Sequence, residues 1–152
     1  MSTRSKPNAV VFDLDSTLCD CTHRHHLVAC SKPDFLAFHQ KCYDDGVVHQ
    51  VKFALDCYIQ KGYKVIILTG RPVRYIEPTI NWLMDNMVEY DQLIMKRDSD
   101  PQGDVEYKKF ALRKLVIDNY NVVAVFEDRK KIVDMLRNEL GLFVFDVSGN
   151  SY

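Results

Sequence analysis

Two carboxylates stand two residues apart in Asp13-Leu14-Asp15-Ser16-Thr17, directly after the apolar run Ala9-Val10-Val11-Phe12. In an extended chain, positions i and i+2 project to the same side. Set against a phosphate monoester, such a pair can divide the labour. One ionised carboxylate attacks phosphorus and forms an aspartyl-phosphate. The other gives a proton to the leaving oxygen and then takes one from water. Taken alone, the pattern also fits a turn carrying solvated acids.

Three further clusters follow apolar runs. After Val65-Ile66-Ile67-Leu68 comes Thr69-Gly70-Arg71-Pro72. A threonine hydroxyl and backbone N–H groups can grip phosphoryl oxygens, glycine permits close approach, and arginine adds a bidentate contact. Asp104-Val105-Glu106-Tyr107-Lys108 opens a helix pattern. A lysine there can neutralise charge on nucleophile and substrate. Glu127-Asp128-Arg129 follows Val122 to Phe126. Acids here face Asp13 and Asp15 across a sheet edge, and four carboxylates cannot gather without a cation. Hard oxygen ligands select magnesium, which shields an anionic nucleophile from an anionic phosphate. An ordinary turn or a solvated lysine explains each cluster singly; their order at successive strand ends points to one site.

The elements that must position these residues alternate. Strands are predicted over Ala9–Phe12, Lys64–Leu68, Gln92–Met95, Val122–Phe126 and Leu142–Phe145. Their continuous apolar character suits strands covered on both faces. Helical spacing runs over Val47–Lys61 (stopped by Gly62), Pro78–Met87, Asp104–Ile117 and Lys130–Leu140 (ended at Gly141). Strand–helix alternation implies an α/β fold, a mostly parallel five-stranded sheet with helices on both faces. Open parallel sheets bind ligands at the C-terminal ends of their strands. Residues 20–46 interrupt the rhythm, with short helices expected in Thr22–Cys30 and Asp34–Tyr43. This insertion is read as a small cap over the site, against the alternative of a surface hairpin without a chemical role.

A chain of 152 residues, 47% apolar and 27% charged, fits one domain with a real core, taken as 1–152. A net charge of -1 supplies no global field for nucleic acid, so any positive charge for an anionic substrate is local. The modest basic face of Lys108, Lys109, Arg113 and Lys114 reads by default as solvated. Five cysteines, an odd number without scaffold spacing, suggest reduced thiols. The polar N-terminus lacks a signal core and the apolar runs are strand-sized, so a cytoplasmic protein without a membrane span is expected. Cys19, Cys21, His23, His25, His26 and Cys30 crowd together but lack the paired spacing of zinc ligands, and are assigned to the cap or its lead-in.

These motifs together resemble the haloacid-dehalogenase (HAD) superfamily, and more narrowly the 3′-phosphatase domain of phage-type polynucleotide kinase/phosphatases. The resemblance rests on the FDxDxTL strand end at Phe12 to Leu18, an arginine eleven residues after Asp13 (Arg24), and the TGR of Thr69-Gly70-Arg71. It rests also on Asp104 four residues before Lys108, on Glu127-Asp128-Arg129, on the helix from Ile132 to Arg137, and on the Ser148-Gly149 tail. It implies a three-layer Rossmann-like HAD fold and a magnesium-dependent phosphomonoesterase acting on nucleic-acid 3′ ends. It implies Asp13 as nucleophile and metal ligand, and Asp15 as acid/base that binds metal through its carbonyl. Thr69 and Lys108 would hold the phosphoryl group. Asp128 and Glu127 would serve the metal. Arg24, Gly70 and Arg71 would contact substrate, with Asp104 supporting the lysine side. Ser16 departs from the usual glycine and Glu127 from the commoner aspartate. No G-x-x-x-x-G-K-[ST] loop marks a kinase half. A nucleotide or small-metabolite phosphatase, or a phosphate-binding module without turnover, are the competing readings. Oligomeric state is not legible.

Overall fold

The computed structural model describes residues 5–148; Gly149 of the tail motif lies outside them. Five parallel strands form the main sheet: β1 (Asn8–Phe12), β4 (Lys64–Pro72), β5 (Gln92–Lys96), β6 (Asn121–Glu127) and β7 (Val144–Asp146), in the order β5-β4-β1-β6-β7. Between β1 and β4 lie β2 (Cys19–Asp20), α1 (Thr22–His25), α2 (Phe35–Gln40) and a 3-10 turn, then β3 (Gly46–Val47) and α3 (His49–Gln60). Helices α4 (Ile76–Asp85), α5 (Asp104–Ala111) and α6 (Lys130–Asn138) complete the crossovers.

The unbroken apolar strands have two cores to fill. Ala9 and Val11 pack with Ile66, Leu68, Leu112 and Val133 on one face. Val10 and Phe12 pack with Val65, Ile67, Leu55 and Trp82 on the other. Both faces are therefore dry, as the expected three-layer architecture requires.

Two helices differ from expectation. α4 starts two residues before Pro78, after a 3-10 turn at Val73–Tyr75. Proline is tolerated there because first-turn N–H groups have no helical acceptor. The predicted helix to Ile117 ends as an α-helix at Ala111 and continues as a π-helical turn, Leu112–Val116. α3 ends where expected, with Gly62 at φ +80°.

Register brings the motifs together. Phe12 pairs with Ile67 on one side and Phe126 on the other. The residues just beyond, around Asp13, Thr69 and Glu127, thus emerge side by side, with strands about 4.8 Å apart. Above them sits the insertion. The ladder Cys19↔Val47, Asp20↔Gly46 joins its two ends, and the Asp34 carboxylate caps α2 by accepting from Ala37 N–H at 2.9 Å. Among the described residues, no helix is long and apolar enough to cross a membrane.

Candidate functional site

The loop after β1 is a tight turn. Leu18 N–H and Cys19 N–H both donate to the Leu14 carbonyl, at 3.0 and 2.9 Å. Ser16 pays for that turn with φ +62°, the left-handed region that favours glycine. The turn aims two carboxylates at different partners.

Asp13 lies at the floor. Its Oδ1 accepts from Lys108 Nζ at 2.6 Å, and its Oδ2 accepts from Thr17 Oγ1 at 3.0 Å. Lys108 Nζ also donates to Glu127 Oε2 at 2.7 Å. The other Glu127 oxygen accepts the N–H groups of Asp128 and Arg129, each at 3.1 Å. Asp13, Glu127 and Asp128 each offer an oxygen within 4.8 Å of the others. Burial, then the neighbouring carboxylates, push the Asp13 and Asp128 carboxyls above their ordinary range. Burial alone would lower Lys108, but Asp13 and Glu127 outweigh it and hold the ammonium charged. One ammonium among three acids leaves a surplus of negative charge that a hard cation would balance. An all-carboxylate set fits magnesium-like ions. Among the described residues this is the group able to share a cation; the Cys19–Cys30 cysteines and histidines form none.

Asp15 faces the other way. Its Oδ1 accepts from Arg71 Nε at 3.0 Å, from Arg71 Nη2 at 2.7 Å and from Arg24 Nη2. Burial raises this carboxyl, yet Arg71 and Arg24 more than compensate and hold it well below the usual range. Both guanidiniums also bind Asp45: Arg24 through Nε and Nη2, each at 2.6 Å, and Arg71 through Nη2 at 3.0 Å. Arg24 Nη1 donates to the Phe38 carbonyl at 3.1 Å, and Arg71 Nη1 to Thr79 Oγ1 at 3.3 Å. The sequence placed Arg24 and Arg71 against substrate. Here both are 0% exposed and stand behind Asp15, their donors directed to internal acceptors. They position a carboxylate rather than line the cleft.

Asp45 is absent from the sequence-derived site. Its carboxylate also meets His23 Nε2 at 2.9 Å, and its carbonyl accepts from Trp82 Nε1 at 2.7 Å. In the sequence it is one of two adjacent acids before a glycine, indistinguishable from a turn.

Thr69 is buried, and its Oγ1 accepts from Arg71 N–H at 3.1 Å. Gly70 lines the cleft, and a Cβ there would stand 3.2 Å from Asp104 Oδ1, so the missing side chain leaves room for that carboxylate. Asp104 pairs with Arg129 and lies 4.0 Å from Lys96. Arg129 and Thr17 are thus two more site neighbours that the motifs contained without marking. The cleft encloses about 730 Å³, with Asp13, Asp15, Lys108 and Asp128 among its lining.

The chain is similar in sequence and fold to known proteins. A sequence model of one family, described as the polynucleotide kinase PNKP phosphatase domain, matches residues 7–152. The putative bifunctional polynucleotide kinase/RNA ligase of Autographa californica nuclear polyhedrosis virus is 28% identical over 146 residues, covering 93% of this chain and 19% of that protein. A chain of the Pnkp1/Rnl/Hen1 RNA repair complex superimposes with a TM-score of 0.79 at 33% identity, covering 93% of this chain and 42% of the other. The class C acid phosphatase of Bacillus anthracis, at 16% identity and a TM-score of 0.64, shares the fold; that match covers 95% of this chain and 68% of the other. The chain spans less than half the length of the viral and repair-complex relatives.

Proposed function

Because the chain belongs to the polynucleotide-kinase phosphatase-domain family and is a phosphatase, we propose that it removes phosphate from the 3′ end of a nucleic-acid strand, with Asp13 as nucleophile. The observation that carries the mechanism is the shared Lys108 ammonium, 2.6 Å from Asp13 and 2.7 Å from Glu127, beside Asp128. One charged donor and one carboxylate cluster converge on the Asp13 carboxylate.

A carboxylate oxygen of Asp13 attacks phosphorus. The bond to the ester oxygen breaks, its electron pair leaves with that oxygen, and Asp15 supplies the proton. Water then attacks the aspartyl-phosphate and gives its proton to Asp15, releasing phosphate and restoring Asp13. The arginine pair favours ionised Asp15, which suits this second, base half. For the acid half, Asp45 offers the guanidiniums an alternative acceptor that they already share. Lys108 neutralises the phosphoryl oxygens. The Thr69 hydroxyl accepts from Arg71 N–H and so keeps its own hydrogen for a phosphoryl oxygen. Asp13, Asp128 and the Asp15 carbonyl would hold magnesium, with Glu127 in the same cluster, and the ion would offset repulsion between nucleophile and substrate. Glu127 has both oxygens engaged, by Lys108 and by backbone N–H groups, so its larger part is to fix the lysine.

The test is phosphate release from 3′-phosphorylated DNA and RNA oligonucleotides with Mg²⁺, beside nucleoside monophosphates. Release from the 3′ ends is expected, abolished in Asp13→Ala and reversibly by EDTA. Release from mononucleotides alone would move the assignment to a nucleotide phosphatase.

A further inference from the structure

The cleft, at about 730 Å³, is far larger than one phosphoryl group, and its lining includes two unlike sets of residues beyond the carboxylates. One set belongs to the cap. Phe35, Phe38 and His39 of α2 stand at i, i+3 and i+4, the spacing that puts side chains on one helix face, and all three line the cleft. Phe38 is fixed: the Arg24 guanidinium lies 4.0 Å from its ring centroid, and the ring meets His39 edge-on at 5.4 Å. His39 in turn lies against Tyr75 at 5.3 Å. Burial lowers His39 and keeps the imidazole neutral, so it joins the lining as an aromatic ring rather than as a cation. Phe38 is 8% exposed, while Phe35 is 60% exposed. The lining on this side thus combines braced rings at Phe38 and His39 with an exposed ring at Phe35.

The same cleft is lined, at the end of β5 and just beyond it, by Lys96, Arg97, Asp98 and Asp100. Three of the four are engaged. Lys96 Nζ donates to the Gln102 carbonyl, Asp98 accepts from Arg74 Nε at 3.1 Å, and Asp100 accepts from Gln102 N–H at 2.9 Å. Arg97 is exposed, and its guanidinium has no acidic partner among the described residues. Arg97 is a cation that no acid neutralises, and the Asp100 carboxylate beside it is held by a backbone N–H rather than by a cation.

An open aromatic ring and a cation without an acidic partner lining one cleft are the combination that binds single-stranded nucleic acid. We propose that Phe35 stacks on the base of the unpaired 3′-terminal nucleotide, while Arg97 meets the adjoining phosphodiester. The inference rests on the 3′-phosphatase reading and adds what that reading lacks: the residues that recognise the strand. The floor holds the terminal phosphate, so the sugar leads outward and its base turns toward Phe35. A paired terminal base would have to unstack to reach it.

The test compares a 3′-phosphorylated oligonucleotide with the same strand ending in an abasic sugar. In the native protein, loss of the terminal base is expected to lower kcat/KM by about tenfold, chiefly through KM, the scale of one base–aromatic stack. Phe35→Ala should bring the two strands within about twofold of each other, and Phe35→Trp should keep them apart. Arg97→Gln should narrow the preference for the strand over a nucleoside 3′-monophosphate, which has no second phosphate, and flatten the salt dependence. Equal turnover of intact and abasic strands by the native protein, or undiminished discrimination in Phe35→Ala, would overturn the proposal while leaving 3′-phosphatase activity in place. Hydrolysis of p-nitrophenyl phosphate without release from either strand would remove the 3′ assignment and this inference together.

Discussion

At the scale of single residues, the two aspartates after β1 differ in their partners. Asp13 shares one lysine with another acid; Asp15 is gripped by two arginines. An acid/base role for Asp15 makes Asp15→Asn selective. Alkyl phosphates, whose leaving oxygen needs a proton, should slow by roughly 10²–10⁴-fold. p-Nitrophenyl phosphate should slow far less, and equal losses on the two substrates would count against Asp15 as the acid. Ser16 gives a second prediction. A left-handed backbone costs an L-residue roughly 1–2 kcal/mol. Glycine's greater freedom in the unfolded chain returns part of this, so Ser16→Gly should stabilise by about 0.5–1 kcal/mol. A urea midpoint shifted upward at unchanged slope would show it.

At the scale of elements, the cap's return strand delivers the acid that the motifs did not reveal. Asp45 sits one residue before β3, and both buried guanidiniums depend on it. Asp45→Asn should therefore cost about 3 kcal/mol of stability, the order expected for breaking a buried ion pair, measured by denaturant unfolding. Its companion signature is a displaced acidic limb in the pH–rate profile, since Asp15 keeps the guanidiniums to itself. What the sequence disclosed follows from element length. β1, β4 and β6 are long enough to show a continuous apolar run, so the strands were legible together with the motifs at their ends around Asp13, Gly70 and Asp128, while Lys108 was read from the helix pattern that became α5. β2 and β3 have two residues each, too few for any periodicity. Arg24 and Arg71 were found, but their direction was not: whether an arginine reaches a ligand or a buried aspartate depends on contacts between segments far apart in the chain.

For the whole molecule, carboxylate burial sets how stability follows pH. Asp13 and Asp128 are raised in the folded state, so their contribution is fully present below the ordinary carboxylate pKa of about 4 and is lost as pH rises through their elevated values. Asp15 is depressed, so its contribution is present above about 4 and is lost as pH falls further. Without metal, thermal stability should decline from mildly acidic toward neutral and alkaline pH. Mg²⁺ should raise Tm most at the alkaline end, because a ligand that binds only the folded state stabilises it. Asp128→Asn should blunt that rise; a Tm indifferent to Mg²⁺ at every pH would remove the ion from this cluster.

The hydrogen bond from Arg24 on α1 to Asp15 ties the insertion to the loop after β1. A canopy fastened in this manner cannot swing clear while the acid beneath keeps its tuning: prising α1 away would strip a guanidinium from Asp15 at the same stroke. On the proposed reading, a strand lying along Phe35 and Arg97 would come and go with this roof left in place.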